Sequence, residues 1–311
     1  MITEKIYLKP KTITEATQMA SKHENDFRFL AGGTDVIVNK FQGNESSSCL
    51  IDITAIEEMK SVKVIGNNLC IGALITLDQL NSFSEIKKEF PVLLEAAKAV
   101  GSPMIRKTAT IGGNILCENR CMFYNQSEWW REAVGYCLKC EGDVCIATGG
   151  AKNCFSKFVS DTAIALISLN ACIEISENGK VIVLPIEDIF TGDGVAPRKL
   201  QKTALIQSVQ IPLHKGCRSA FKKLRHRETM EFSSLTTCVT VNSAGEIKIV
   251  LGGVDPKPVV VAGMISDDKN ELIKQAAKKA RIIDNDAYTR LFRKEMITVY
   301  LNRSFEELSI K

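Results

Sequence analysis

Short apolar runs alternate with amphipathic stretches along the first third of the chain. Thr12 to His23 reads as a helix capped near Thr12, and Phe27 to Leu30 as a short strand. That strand feeds a glycine pair in Leu30-Ala31-Gly32-Gly33-Thr34-Asp35, after which Val36 to Lys40 continues helically. Leu50 to Ile53 reads as a second strand, and Val62 to Ile75 as a hairpin turning at Gly66-Asn67-Asn68. A helix from about Pro91 to Val100 follows, with proline in its first turn and Gly101 just past its end. Thr162 to Leu169 is apolar and predicted helical, and Cys172 to Ile175 and Val181 to Leu184 flank a turn at Glu177-Asn178-Gly179. Strands near Leu235 to Val241 and Ile247 to Leu251 precede two charged amphipathic helices, Asp267 to Ala280 and Asp286 to Leu301. The pattern predicts a mixed α+β fold in three parts, with a boundary between Pro212 and Cys217. A cysteine-rich insertion lies in the second part.

Composition narrows the class. With 45% hydrophobic and 24% charged residues among 311, the chain is ordinary for a soluble globular protein. A net charge of +4 is too small to imply nucleic acid or an anionic membrane. No apolar run approaches the roughly 20 residues that span a bilayer. The charged start, MITEKIYLKPKTITEA, has no apolar core of a signal peptide, so a cytoplasmic location is expected. Thiols should stay reduced there. Six of the 11 Cys fall between Cys117 and Cys154, and such clustering points to metal binding or redox chemistry. The scattered Cys49, Cys70, Cys172, Cys217 and Cys238 read as buried packing.

The glycine pair in residues 30–35 lets the backbone approach a ligand and turn several N–H groups toward an anion. It is not G-x-G-x-x-G, so a Rossmann site is not supported. Thr110-Ile111-Gly112-Gly113-Asn114 repeats the same chemistry after the basic pair Arg106-Lys107. Either loop alone is explained as well by a tight turn. Together they fit one extended diphosphate ligand, a dinucleotide, though the charge pattern does not separate NAD from FAD. The three His (His23, His214, His226) are widely spaced and form no acid–base pair, and no nucleophile motif assembles.

Four stretches taken together carry a resemblance: AGGTD, LLEAAKAVGSPMIRKTATIGGNI, SDTAIALISLNA and IVLGGVDPKPVVV. They resemble the FAD-binding medium subunit of molybdenum hydroxylases, the family of xanthine dehydrogenase and carbon monoxide dehydrogenase. The resemblance implies a two-part FAD-binding domain (a small α/β unit, 1–60, and a mainly antiparallel unit, 61–213) and a C-terminal sheet-plus-helices domain, 214–311. It implies that Leu30, Ala31, Gly32, Gly33, Thr34 and Asp35, with Thr110, Ile111, Gly112, Gly113 and Asn114, line the FAD diphosphate and ribityl chain. Asp161 would bond ribityl or ribose hydroxyls, and Lys223 would approach the isoalloxazine, with Lys222 nearly as good a candidate. Ile164 and Met104 depart from residues frequent in the family, Pro and Gln, but neither touches a glycine motif.

The insertion, 117–156, resembles that of 4-hydroxybenzoyl-CoA reductase β subunits, which carries a [4Fe–4S] cluster. The ligand set implied by that resemblance is Cys121, Cys137, Cys145 and Cys154, at intervals of 16, 8 and 9. Phe123, Tyr124, Trp129 and Trp130 would form its apolar shell. Cys117 and Cys140 are then surplus, although Cys137-Leu138-Lys139-Cys140 is itself a C-x-x-C. Structural zinc prefers two such pairs, and a thioredoxin-like pair needs a strand-to-helix context. The implied function is an oxidoreductase subunit that transfers electrons through FAD and a cluster. Substrate chemistry, reductive dehydroxylation of an aromatic compound, would occur on a partner molybdopterin subunit. A small [2Fe–2S] subunit and an external carrier, ferredoxin or NAD, complete the expected assembly. The alternatives are a xanthine or purine dehydrogenase FAD subunit, a self-contained FAD oxidoreductase, and a metal-binding scaffold without flavin.

Overall fold

The computed structural model describes residues 5–23, 26–177, 179–213 and 216–310. Asn178, in one predicted turn, and His214 lie outside the described residues. Three separate sheets organise the chain. The first is parallel and small: β1 (Ile6–Leu8), β2 (Phe27–Leu30) and β3 (Cys49–Asp52) in the order β1-β3-β2. Parallel neighbours need crossovers, and helices supply them. The helix Ile13–Lys22 starts where Thr12 Oγ1 accepts from the Glu15 N–H at 3.1 Å, and it buries Ala16 and Ala20. The helix Val36–Phe41 follows the first glycine loop.

The second sheet is antiparallel, with β4 (Val62–Ile65), β5 (Asn68–Gly72), β6 (Cys172–Glu177), β7 (Lys180–Pro185) and β8 (Leu205–Pro212) in the order β4-β5-β8-β6-β7. Strand β8 stands where the sequence predicts none. Its register skips Gln207, pairing Glu174 with Ser208 and Ile175 with Ile206, so the alternation of apolar and polar positions is broken at the bulge. The third sheet is an antiparallel meander of β9 (Arg218–Leu224), β10 (Leu235–Val241), β11 (Glu246–Gly252) and β12 (Val259–Met264). Helices Lys269–Lys279 and Arg290–Glu307 close a hydrophobic core against it. Among the described residues, no helix is long and apolar enough to cross a membrane.

One helix joins the second and third sheets. All eight residues of Asp161–Ser168 are buried, between helix Pro91–Lys98 on one side and β10 and β11 on the other. Enclosure on every side explains why its middle, Ala163 to Ile167, is apolar without a break, while Asp161, Thr162 and Ser168 are hydrogen-bonded within the protein. Ser160 caps it, accepting from the Ala163 N–H at 3.1 Å.

The cysteine insertion is a closed excursion from this framework. Its base is pinned by an antiparallel bridge between Arg120 and Lys157, whose N–H groups and carbonyls bond at 2.9 and 2.8 Å. Inside it, the helix Glu128–Val134 is capped by Ser127 and stopped at Gly135, whose φ of 99° suits glycine. Arg131 of this helix is buried. It donates to the carbonyls of Gln126 (2.5 Å) and Gln42 (2.7 Å) and pairs with Glu128, so it fastens the excursion to the first sheet's unit. Trp129, expected in an apolar shell, is instead 75% exposed because the same helix turns it outward. We predict that Arg131→Met strands the two buried carbonyls, at about 1–3 kcal/mol each. Limited proteolysis within 121–156 should then run several-fold faster while the far-UV spectrum is unchanged. Unaltered cleavage would contradict this anchoring role.

Candidate functional site

Both glycine loops open onto one cleft of about 1070 Å³ between the first and second sheets. That is at or above the top of the roughly 300–1,000 Å³ range of small-molecule sites. Ala31 to Asp35 line it, together with Thr110, Gly112, Gly113, Asn114, Asp161 and Lys223. Two sequence candidates do not. Ile111 is fully buried in the core, and Leu30 closes β2 with its Cδ1 directed at Gly33.

The loops meet backbone to backbone. A Cβ on Gly32 would fall 1.8 Å from the Thr108 carbonyl oxygen, and one on Gly112 would fall 2.8 Å from the Ala73 Cβ. Gly32 therefore serves the approach of the first loop to the chain just before the second, and Gly112 the seating of the second loop on Ala73 after β5. Gly33 serves the turn, with φ at 71°. Despite their similar sequences the loops are chemically unequal. Among the described residues, the N–H groups of Gly32, Gly33 and Thr34 have no protein acceptor. In the second loop those of Ile111, Gly112, Gly113 and Asn114 bond to Ile75 O, Ala73 O, Thr110 Oγ1 and Thr110 O. Among the described residues, the first loop thus keeps three N–H groups in a row without an acceptor, whereas the second keeps only that of Thr110.

Asn114 Oδ1 accepts from Ser160 Oγ at 3.0 Å and Thr162 Oγ1 at 2.6 Å, docking the second loop on the start of helix Asp161–Ser168. Asp161 is saturated from the protein side. Its Oδ1 accepts from Ser233 Oγ and Thr236 Oγ1 at 2.6 and 2.9 Å, and its Oδ2 from Lys223 Nζ at 2.6 Å. Lys223 Nζ also donates to the carbonyls of Ala99 and Glu231. Lys222, one position earlier in β9, points to the other face and pairs with Glu307. Strand alternation decides between the two lysines.

Around the rim lies a charge network that the sequence did not reveal. Glu118 is mostly buried and receives Arg28 at 2.9 Å, Lys139 at 3.2 Å and Arg198. Burial works against its charge, yet Arg198, Lys139 and Arg28 hold it well below the usual carboxylate range. The Glu118 N–H donates to Asp35 Oδ2 at 2.9 Å, while Asp35 Oδ1 pairs with Arg120. No periodicity marks these residues. They come from distant segments and meet only in the fold.

A second, small cavity of about 10 Å³ adjoins the cleft, lined by Cys121, Cys137, Cys145 and Cys154 with Phe123, Tyr124 and Lys139. Cys121 borders both spaces. Cys117 lines only the cleft and Cys140 neither. Burial pushes Cys121 up to about 11 and Cys117 up to about 12. A hydrogen bond from Cys140 draws Cys137 down to about 6 against its partial burial, and the same bond drives Cys140 upward. Among the described residues, no three His, Cys, Asp or Glu close on one point as ligands of a single ion would. His23 ends a helix and His226 is exposed beside the Tyr288 ring; neither lines the cleft.

Comparison with known proteins identifies the family. The family described as the FAD binding domain in molybdopterin dehydrogenase matches residues 2–214. The chain belongs to this family. Its relatives within the family's range include the aldehyde oxidoreductase FAD-binding subunit PaoB of Escherichia coli (strain K12), 27% identical over 81% of this chain and 82% of that one. The glyceraldehyde dehydrogenase medium chain of Sulfolobus acidocaldarius is 23% identical over 97% and 98%. The solved structure of reconstituted CO dehydrogenase from Oligotropha carboxidovorans shares the fold, with a TM-score of 0.75 over 98% of both chains at 20% identity. The expected α+β class and the resemblance to FAD-binding medium subunits of molybdenum hydroxylases agree with these findings.

In this molybdopterin dehydrogenase fold the buried Asp161–Lys223 pair ties the start of helix Asp161–Ser168 to β9 of the third sheet. Asp161→Ala leaves a buried ammonium without its counter-charge, for an expected loss of about 3–5 kcal/mol in denaturant unfolding. Asp161→Leu combined with Lys223→Met should recover most of that loss. A single variant as stable as the parent would show that the pair does not join the units.

Proposed function

We propose that the chain is the FAD-binding, electron-transferring subunit of a molybdenum hydroxylase-type complex, and that its cysteine excursion holds one [4Fe–4S] cluster. The observation that carries the reading is the shared cavity. Four thiols of six converge on it, they are the four implied by the insertion's resemblance, and one of them borders the flavin cleft. They surround a space rather than a point, as a core with one thiolate per iron requires. The free space is small, so the loop 138–153 must yield to admit the core. The donor set fits the group, and Cys137, already drawn toward its thiolate, supplies the ligand form most readily.

FAD handles electron pairs and an iron–sulfur cluster handles single electrons, which is the chemistry these groups supply when bound. The chain's own residues bind and orient. The free N–H groups of Gly32, Gly33 and Thr34 offer a nest for the diphosphate, and Asp35 holds that loop against the excursion through Glu118 and Arg120. The second loop supports the first by close packing. Asp161 and Lys223 wall the far end, where their mutual bond fixes the wall beside the ring system. Tyr124 and Phe123 keep water from the cysteine cavity.

We further propose units 1–60, 61–213 and 214–311, and an assembly of two copies each of this chain, a molybdopterin-binding large subunit and a [2Fe–2S] small subunit. An external carrier, ferredoxin or NAD, would exchange electrons with it. Relatives carry names as different as nicotinate dehydrogenase, carbon monoxide dehydrogenase and xanthine dehydrogenase FAD-binding subunits. The substrate is therefore set on the large subunit. Aromatic reductive dehydroxylation rests on the insertion alone, with purine oxidation as the competing reading.

Two variant sets test this. Gly33→Val should give folded, flavin-poor protein, read by absorbance and circular dichroism; full flavin occupancy would remove the first loop from the site. Single Ser replacements at Cys121, Cys137, Cys145 and Cys154 should lose iron and the broad visible absorption, while Cys117→Ser and Cys140→Ser keep both. Iron loss at Cys140 with retention at Cys145 would refute the ligand set.

A further inference from the structure

Lys139 lies in the turn between Cys137 and Cys140, a place where a lysine would ordinarily reach into solvent. Instead its side chain is 5% exposed. Nζ donates to the Gly194 carbonyl at 2.6 Å and to Glu118 Oε2 at 3.2 Å, and it stands 5.0 Å from the centre of the Tyr124 ring. It lines the small cavity alongside Cys121, Cys137, Cys145 and Cys154. Its carboxylate partner belongs to the other cavity, since Glu118 borders the flavin cleft and bonds through its N–H to Asp35 of the first glycine loop.

The charges do not cancel. Glu118 is shared by Arg28, Arg198 and Lys139, and among the described residues only Arg28 of these has a second carboxylate, Glu45 at 3.3 Å. Three cations against two anions leave one positive charge in a largely desolvated node. That surplus is shared across the node, and Lys139 is the member of it that also lines the cysteine cavity. Reducing a thiolate-bound iron centre by one electron adds a negative charge, and a fixed cation nearby in a low-dielectric setting favours that state.

We propose that Lys139 is a positioning residue for electron transfer, a fixed cation that biases the cysteine-held centre toward its reduced form while tethering the C-x-x-C turn to the flavin-side loop. This rests on the cluster reading above. The electron comes from the flavin or the external carrier, and no proton moves at Lys139.

The test is an EPR-monitored redox titration of the anaerobically purified full chain, with iron and sulfide quantified on the same samples. Lys139→Gln keeps a donor for the Gly194 carbonyl and removes the charge. It should shift the cluster's midpoint to more negative potential at unchanged iron content, and Lys139→Arg should restore the parental value. Glu118→Gln should shift it the opposite way. An unmoved midpoint in Lys139→Gln with full iron, or equal shifts in the Gln and Arg variants, overturns the proposal. Should Lys139→Gln lose its iron, Glu118→Gln decides: a positive shift supports the proposal, and no shift or a negative one overturns it. Parental chain without iron overturns both this proposal and the cluster reading, whereas iron with an unmoved midpoint overturns this one alone.

Discussion

The site depends on one mostly buried carboxylate. Glu118 follows directly on the segment carrying the second glycine loop, and three cations from β2, the cysteine excursion and the stretch before β8 converge on it. Its main-chain N–H reaches Asp35, whose other oxygen takes Arg120 at the base of the excursion. A buried charge cluster of this kind contributes little net stability compared with apolar packing, yet breaking one partner is costly. Its effect is to fix relative position. The first glycine loop, the base of the insertion and the C-x-x-C turn cannot shift independently without stranding a charge.

That constraint explains how a long, mostly irregular insertion sits beside a ligand cleft without filling it. The excursion is pinned at its base by the Arg120–Lys157 bridge and on its flank by Arg131, and the node holds its inner wall. The cleft's floor is then free to be made of glycine backbone. Gly32 against Thr108 and Gly112 against Ala73 bring two chain segments closer than any side chain would allow. Among the described residues, the unpaired donors lie mainly in the first loop. The cleft thus has unpaired N–H groups of the first loop on one side and the bonded Asp161–Lys223 pair on the other.

Much of the framework was legible in the sequence because local signals agreed with the tertiary environment. Pro91 and Gly101 bracket a helix, Thr12 caps another, and β2 and β10 fall where apolar runs end at turn residues. Strand β8 was hidden by its bulge at Gln207, and β9 by the adjacent Lys222 and Lys223, which interrupt its apolar alternation. Had β9 been recognised, alternation would have separated Lys223 from Lys222. That Cys121, Cys137, Cys145 and Cys154 line one small cavity could not be read from their spacing. The inequality of the two glycine loops was not legible at all, since it depends on which carbonyls of residues 73–75 lie opposite. The same holds for Arg28, Glu118, Lys139 and Arg198, isolated charges whose role exists only through contacts across some 20 to 90 positions of sequence.

The central claim is that a flavin cleft and a four-thiolate centre adjoin within this single chain, with Cys121 between them. Native mass spectrometry of the anaerobically purified chain, without partners, tests it most directly. The account predicts one population whose added mass corresponds to one FAD together with four iron and four sulfide. Chain carrying FAD alone, or FAD with zinc in place of iron and sulfide, would contradict it.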